Sequence, residues 1–178
     1  SIQIRVGDLF DQPGAFVIGS NTTFDTQLAP ELISERSVQG QFTARFYDNV
    51  AHLDADLDRA LRGVARTELP TRARGKRFLY PIGTTAMIRP KGRTAYFVAL
   101  ATINEHGVAH GTFDDLKTCL PMIWEHIASR GDFQEIAMPV LGTGFSRLAK
   151  TREEVIREVV QSFVAACAAQ RHSSFFSQ

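Results

Sequence analysis

Residues 94–101 limit the fold of this chain more than any other stretch. They read Thr-Ala-Tyr-Phe-Val-Ala-Leu-Ala, and no charged residue interrupts them. A continuous apolar strand is typical of the middle of a sheet, where helices cover both faces. The runs at 15–19 and 135–138 also favour strands, and helical patterns separate the strands along the chain. We therefore predict the α/β class, as a three-layer α/β/α sandwich with a mixed central sheet.

Two further strands complete the predicted sheet. Ile2, Ile4 and Val6 alternate with polar residues, which indicates a half-buried first strand. Residues 84–88 are followed by a turn at Lys91-Gly92, so we expect them to form a hairpin with residues 94–101. The chain begins almost directly on the first strand, and we expect natural sequence upstream of Ser1.

Periodic apolar residues and capping residues predict the helices. Helical spacing runs through residues 42–64, with a break near Asn49. Pro121 falls inside a later helical pattern, so that helix is expected either to kink there or to begin there. Two capping boxes are expected at helix starts: Thr112 with Asp115, and Thr151 with Glu154. The tail at 172–178 is expected to fray.

Composition excludes several classes of protein. With 178 residues and a formal net charge of +1, the chain fits one domain over 1–178 and lacks the basic footprint of a nucleic-acid-binding protein. No apolar run is long enough to cross a membrane. Cys119 and Cys167 form no CxxC pair, which indicates a reducing compartment. We interpret the basic run 72–77 as a solvated loop, with a polyanion patch as the alternative.

Two irregular segments carry most of the chemical signal. Residues 22–39 are polar and weakly periodic, and loops of that length are usually functional or disordered. Gly142-Thr143-Gly144 follows a predicted strand and precedes a helix. Uncovered N–H groups in such a turn can bind a diphosphate at the carboxyl ends of the strands. A tight turn that needs glycine and binds nothing is the alternative.

Three separated strings, taken in order, resemble those of macro domains, the ADP-ribose-binding fold. They are Gly7-Asp8-Leu9-Phe10, residues 17–21 (Val-Ile-Gly-Ser-Asn), and residues 139–144 (Pro-Val-Leu-Gly-Thr-Gly). The resemblance implies that Asp8 accepts a hydrogen bond from the adenine amino group, while Leu9 and Phe10 lie beside the ring. It further implies that Asn21 lies near the distal ribose, and that Gly142, Thr143, Gly144 and Phe145 surround the diphosphate. No metal and no cofactor are expected.

A narrower resemblance covers most of the chain. Residues 24–26, 37–42, 80–84 and 141–147 are similar to the macro domain of Thoeris-type antiphage effectors. The similarity adds Phe24, Asp25, Ser37, Gly40, Ser146 and Arg147 to the candidate ligand-binding residues. It implies a cytoplasmic domain of a membrane-anchored bacterial protein, with transmembrane helices upstream and a homo-oligomer in the full-length form. The implied functional partner is a TIR-domain enzyme that consumes NAD and releases the signal.

The two resemblances imply a sensor that binds ADP-ribose or a conjugated ADP-ribose. An ADP-ribosyl hydrolase is the alternative, and an interaction domain with an empty cleft is a third possibility. Asn21 is followed by Thr22 and Thr23 instead of a second asparagine and a glycine run, and no acid follows the Gly-x-Gly turn. Asp25 is then the only nearby candidate for a general base. We therefore favour a binding module over an enzyme.

Several of these residues also have plain structural interpretations. Asp8 fits an N-cap of a helical turn, and Asn21 fits a turn residue. Phe24 and Phe145 fit the core as well as a ring that stacks on a ligand. Arg147 fits a surface charge as well as a phosphate contact. We further expect the segment at 22–40 to close over a group attached at the distal ribose, such as an imidazole-bearing histidine.

Overall fold

The computed structural model describes residues 1–29, 32–72, 74–103, 108–130, 134–141 and 150–175. The strands are β1 (Ala15–Asn21), β2 (Thr67–Glu68), β3 (Phe78–Leu79), β4 (Thr85–Ile88), β5 (Ala95–Ile103), β6 (Ala109–His110) and β7 (Ile136–Ala137). The helices are α1 (Val38–Phe46), α2 (Val50–Ala60), α3 (Phe113–Arg130) and α4 (Arg152–Phe175). Short 3₁₀ turns occupy Leu9–Asp11 and Pro90–Gly92.

The main sheet is mixed, as predicted. Its order is β4-β5-β1-β7, and β6 pairs with β5. β1 is parallel to β5, with Phe16 opposite Ala95, and parallel to β7, with Ala15 opposite Ile136. β4 and β6 are antiparallel to β5. β2 and β3 form a separate antiparallel pair.

Helices cover both faces of this sheet. Phe16, Ile18 and Phe97 point towards α1 and α2 and pack with buried residues of those helices, such as Phe42 and Leu53. The alternate strand residues, including Val17 and Val98, pack on the other face against Leu116, Leu120 and Val155. The long apolar run of β5 is buried on both sides for this reason. The α/β/α sandwich is confirmed.

The helix boundaries follow their capping residues. The Asn49 side chain accepts a hydrogen bond from Ala51 N and caps α2, which confirms the break. Both capping boxes are present: Asp115 N donates to Thr112 Oγ1 at 3.0 Å, and Glu154 N donates to Thr151 Oγ1 at 3.2 Å. α3 begins at Phe113 and runs through Pro121, so a start at Pro121 is excluded. α4 continues to Phe175, beyond the point where fraying was expected.

Residues 2–6 differ from the predicted strand. They have no strand geometry, and Ile4 and Val6 are 70% and 105% exposed. Alternation favours a strand only where a neighbouring strand supplies hydrogen bonds, and none of the described strands pairs with this segment.

Among the helices that the structure describes, none combines the length and the apolar character of a membrane-spanning segment.

Candidate functional site

β1 ends in a turn that the Asn21 side chain closes. Asn21 Oδ1 accepts hydrogen bonds from the backbone N–H groups of Thr23 at 3.2 Å and Asp25 at 3.1 Å. Asn21 Nδ2 donates to Asp25 Oδ2 at 2.9 Å. Asparagine favours such turns because its short amide reaches its own backbone. Asn21 is only 5% exposed. Its hydrogen bonds therefore fit the turn role that the sequence predicts.

The Asp25 carboxylate forms a buried ion pair with Arg72. Arg72 Nη2 lies 2.7 Å from Asp25 Oδ2, and the two side chains are 7% and 1% exposed. Thr23 Oγ1 donates to the same carboxylate at 2.8 Å, and Lys76 N donates at 2.7 Å. A buried carboxylate needs this number of partners because burial removes its hydration. We name Asn21, Thr23, Asp25 and Arg72 the Asp25 network.

Two expectations change because of this network. Arg72 does not lie in a solvated loop, because its guanidinium is buried against Asp25. The Asp25 carboxylate does not face solvent, so it can neither pair with an attached ligand group nor act as a general base in this conformation. The sequence could not reveal the pair because 47 residues separate its members.

Gly75 allows the basic run to approach Asp25. Its φ is +80°, and a Cβ atom at this position would lie 2.5 Å from Asp25 Oδ1. A side chain would therefore meet both backbone strain and a steric clash. This glycine inside the run 72–77 is the one sequence signal that marks a tight turn instead of a freely solvated loop.

Phe24 is a core residue. Its ring has no exposed surface and contacts the Tyr80 ring edge-on, with centroids 5.5 Å apart. Its backbone is left-handed, with φ at +49°, which is rare for an aromatic residue. Of the two interpretations from the sequence, packing in the core fits the structure, and stacking of the ring on a ligand does not.

Ser37 and Gly40 shape the start of α1. Ser37 Oγ accepts a hydrogen bond from Gly40 N at 3.0 Å and donates one to Ser34 O at 2.6 Å, which makes Ser37 the N-cap. A Cβ at Gly40 would lie 2.3 Å from Ser34 O, so only glycine fits there. These contacts give both residues structural roles, and their predicted ligand contacts stay predictions.

Asp8 lies at the other end of α1. Its carboxylate accepts hydrogen bonds from Phe10 N at 2.9 Å and from Arg45 Nη2 at 2.6 Å. The bond from Phe10 N and the Arg45 guanidinium together hold the pKa of Asp8 below its usual range. The Asp8 side chain is 35% exposed, so part of the carboxylate faces solvent. We name Asp8 and Arg45 the Asp8 pair.

The Asp8 pair does not follow a strand, contrary to expectation. Phe10 packs on Phe16, the second residue of β1, with ring centroids 5.4 Å apart. Asp8 therefore lies near the beginning of β1, whereas Asn21 ends that strand. Leu9 and Phe10 are both half-buried beside the core between the sheet and α1 and α2. Arg45, which sequence reasoning missed, stands in the last turn of α1.

The predicted diphosphate cradle lies outside the described residues. This applies to Gly142, Thr143, Gly144, Phe145, Ser146 and Arg147. The chain is described up to Leu141, which is buried beside Gly19. Because β7 is parallel to β1, the chain leaves β7 at the sheet edge where Asn21 lies. The roles of these six residues stay predictions.

Two cavities border the segment 22–45. The larger, about 780 Å³, has Tyr80 in its lining, together with Thr23 and Phe24 from the turn that follows β1. The smaller, about 420 Å³, runs along α1 and includes Gly40 and Arg45. Within the part of the chain that the structure describes, no three His, Cys, Asp or Glu residues are grouped to hold a metal ion.

Comparison with known proteins identifies the family. The chain is similar to the Thoeris protein ThsA of Bacillus amyloliquefaciens (strain Y2), with 25% identity over 154 residues. This alignment covers 82% of the chain and 50% of the relative, so the chain spans about half the length of that protein. The family described as Thoeris protein ThsA, Macro domain, matches residues 2–175. The chain therefore belongs to the ThsA macro-domain family.

Proposed function

We propose that this domain binds an ADP-ribose-derived signal in Thoeris antiphage defence. The match of residues 2–175 to the ThsA macro domain is the observation that carries this proposal. The candidate residues of the macro-domain strings stand in order at Asp8, Asn21 and 142–145. In the proposed arrangement, the exposed part of the Asp8 carboxylate accepts a hydrogen bond from the adenine amino group.

The placement of α1 supports an extended ligand. Asp8 pairs with Arg45 in the last turn of α1. In the first turn of α1, Gln39 Nε2 donates to Asp25 O, which places the turn closed by Asn21 near this end of the helix. Nine residues at 1.5 Å each give a helix about 13 Å long. A base at one end and a distal ribose at the other suit ADP-ribose, which is longer than a mononucleotide.

Asn21 keeps one donor for the ribose in this proposal. Its amide nitrogen carries two N–H groups. One donates to Asp25 Oδ2, and the second has no partner among the described residues. We assign this second N–H to a ribose hydroxyl. Asn21 is only 5% exposed, so the contact requires the turn to open.

The internal contacts of Asp25 favour a binding module over a hydrolase. A general base must reach the water or proton that it activates. Asp25, the candidate from the sequence, directs both carboxylate oxygens to Arg72 and to neighbouring N–H and O–H groups. We therefore propose that the domain reports the presence of its ligand and leaves it intact.

We further propose that the signal is larger than ADP-ribose and comes from a TIR-domain enzyme that consumes NAD. The attached group, imidazole-bearing in the proposal, lies beyond the distal ribose. Phe24 and Asp25 are buried, whereas Arg36 is exposed. We therefore assign Arg36, within the segment 22–40, to the contact with the attached group. We expect the conjugate to bind at least ~10-fold more tightly than ADP-ribose, a difference of about 1.4 kcal/mol.

Side-by-side calorimetric titrations with EDTA present test this function. We expect saturable binding of both ligands without a metal, and weaker discrimination in Arg36→Ala. The matched control is Arg157→Ala, an exposed arginine on α4. If neither ligand binds, the proposed sensor function is wrong. If both bind with equal affinity, the proposal of a signal larger than ADP-ribose is wrong. Release of labelled ADP-ribose from a modified protein at an enzymatic rate would support the hydrolase instead.

A further inference from the structure

The larger cavity has no role in the ADP-ribose proposal. It lies between the end of α2, the following residues 61–66 and the segment 76–80. Its volume of about 780 Å³ falls within the usual range of small-molecule sites, roughly 300–1,000 Å³. Asp8 and Arg45 are not among its lining residues, so the cavity is separate from the Asp8 pair.

The charges around this cavity are unbalanced. Four basic residues line it, Arg62, Arg66, Lys76 and Arg77, against two acidic residues, Asp54 and Asp58. Lys76 Nζ lies 2.7 Å from Asp54 Oδ1 and 4.0 Å from Asp58 Oδ1, so this one lysine balances one of the two carboxylates. Among the described residues, no carboxylate lies within ion-pair distance of the three arginines. The lining therefore has a surplus of two positive charges that a ligand can neutralise.

One of these arginines is held in place by its neighbours. The Arg66 guanidinium lies over the Phe78 ring, 3.6 Å from its centroid. Arg66 Nη1 also donates to Tyr80 Oη at 3.4 Å, and Tyr80 is only 6% exposed. A guanidinium carries five N–H donors in a fixed plane, so this single bond leaves most of them unused. Stacking fixes the plane in advance and reduces the ordering needed on binding.

We infer that this cavity is a second ligand site, which binds a small organic anion through a carboxylate or a phosphate group. Arg66 is the positioned donor, and Arg62 and Arg77 add charge at the rim. Planar guanidinium groups bind both oxyanions with paired, charge-assisted hydrogen bonds. Thr23 lines the cavity and also bonds to Asn21, so an anion here lies next to the Asp25 network.

Titration of simple anions into the whole domain tests this inference. Sodium pyrophosphate and sodium citrate serve as the probes, at constant ionic strength, with sodium chloride as the reference salt. Backbone amide NMR shifts report the location of binding. We expect at least one probe to bind saturably and to shift the amides of residues 62–66 and 76–80, while the amides of residues 8–10 stay unchanged.

Charge-matched variants separate a built site from general attraction. We expect Arg66→Gln/Arg77→Gln to weaken binding roughly tenfold or more, because each lost charge-assisted bond contributes strongly. Arg152→Gln/Arg157→Gln removes the same charge from exposed positions on α4 and should leave the affinity unchanged. Arg62→Gln, at an exposed position with no described side-chain contact, gives a second test if the first variant unfolds.

The outcomes are distinct from those of the ADP-ribose proposal. Shifts of the amides of residues 62–66 and 76–80 with pyrophosphate alone assign a phosphate ligand, and the same shifts with citrate alone assign a carboxylate ligand. Both outcomes support the site, whereas pyrophosphate shifts confined to other residues, such as the proposed diphosphate turn at 142–145, overturn it. No binding by either probe, or equal weakening in the two double variants, overturns it. Asp8→Ala is expected to leave the anion affinity unchanged, so failure of the ADP-ribose proposal does not affect this result.

Discussion

Two aspartates of this domain were assigned ligand contacts from the sequence, and the structure surrounds them differently. Asp25 is 1% exposed, and its carboxylate accepts hydrogen bonds from Arg72, Thr23 and Lys76. Asp8 keeps a side chain that is 35% exposed and has two internal partners. The same chemical group is therefore structural in one region and available in the other. The difference lies in burial, which decides whether a carboxylate can exchange a partner for a ligand.

The largest expected effect comes from breaking the Asp25 network. Asp25→Asn should lower the free energy of unfolding by about 3–5 kcal/mol, because it leaves the buried Arg72 guanidinium without its counter-charge. Arg72→Met should cost a similar amount. The double variant should cost less than the sum of the two single variants, because neither charge is then left alone. Urea unfolding of the four proteins measures these differences.

The exposed pair of Arg59 and Asp56 is the control for that experiment. Its atoms are 2.9 Å apart, but Arg59 is 68% exposed. Exposed pairs contribute about 0–1 kcal/mol, so Arg59→Ala should change stability little. A loss below about 1 kcal/mol in Asp25→Asn, similar to that of the control, would mean that the network does not stabilise the turn.

A smaller effect is expected at Gly75. Gly75→Ala should cost about 1–3 kcal/mol, because alanine meets a left-handed φ and also a contact with Asp25. Gly92→Ala is the matched control, since Gly92 has a φ of +76° but a methyl group there would meet nothing within 4 Å beyond its chain neighbours. Thermal unfolding should show a larger loss at Gly75. Equal losses of stability in Gly75→Ala and Gly92→Ala would mean that backbone strain alone destabilises Gly75→Ala, without a contribution from the contact with Asp25.

The smallest effect concerns the pH dependence of the Asp8 pair. The folded pKa of Asp8 is lowered, so its contribution to stability is complete above the unfolded value near 3.9 and is lost as the pH falls through the folded value. The stability difference between the wild type and Asp8→Asn should be constant from about pH 8 to 5 and should shrink below about pH 4. A difference that grows on acidification would contradict the assigned sign.

The sequence predicted the sheet and the helix starts because both depend on local patterns. The apolar run of β5 indicated a buried central strand, and the boxes at Thr112 and Thr151 marked two helix starts. Residues 2–6 show the limit of a local pattern, because alternation does not supply a neighbouring strand. Boundaries that rest on capping residues were therefore more reliable than a short alternating run.

The candidate site was less predictable because its contacts join distant parts of the chain. Asp25 meets Arg72 across 47 residues, and Asp8 meets Arg45 across 37. Neither partner is evident from spacing. Phe24 illustrates the same difficulty, since its ring packs in a core cluster with residues distant in sequence, such as Tyr80. Family resemblance gave the candidate positions, but burial had to come from the structure.

Calorimetric titration of ADP-ribose into the wild type and Asp8→Ala tests the proposed ligand contact of the exposed aspartate most directly. A hydrogen bond to a charged group contributes roughly 1.5–3 kcal/mol, so Asp8→Ala should bind about ten- to a hundredfold more weakly. Asp48→Ala, which removes another exposed aspartate with a Lys91 partner 3.4 Å away, should bind like the wild type. Unchanged affinity in Asp8→Ala, measured in a domain that still binds ADP-ribose, would contradict adenine recognition by Asp8.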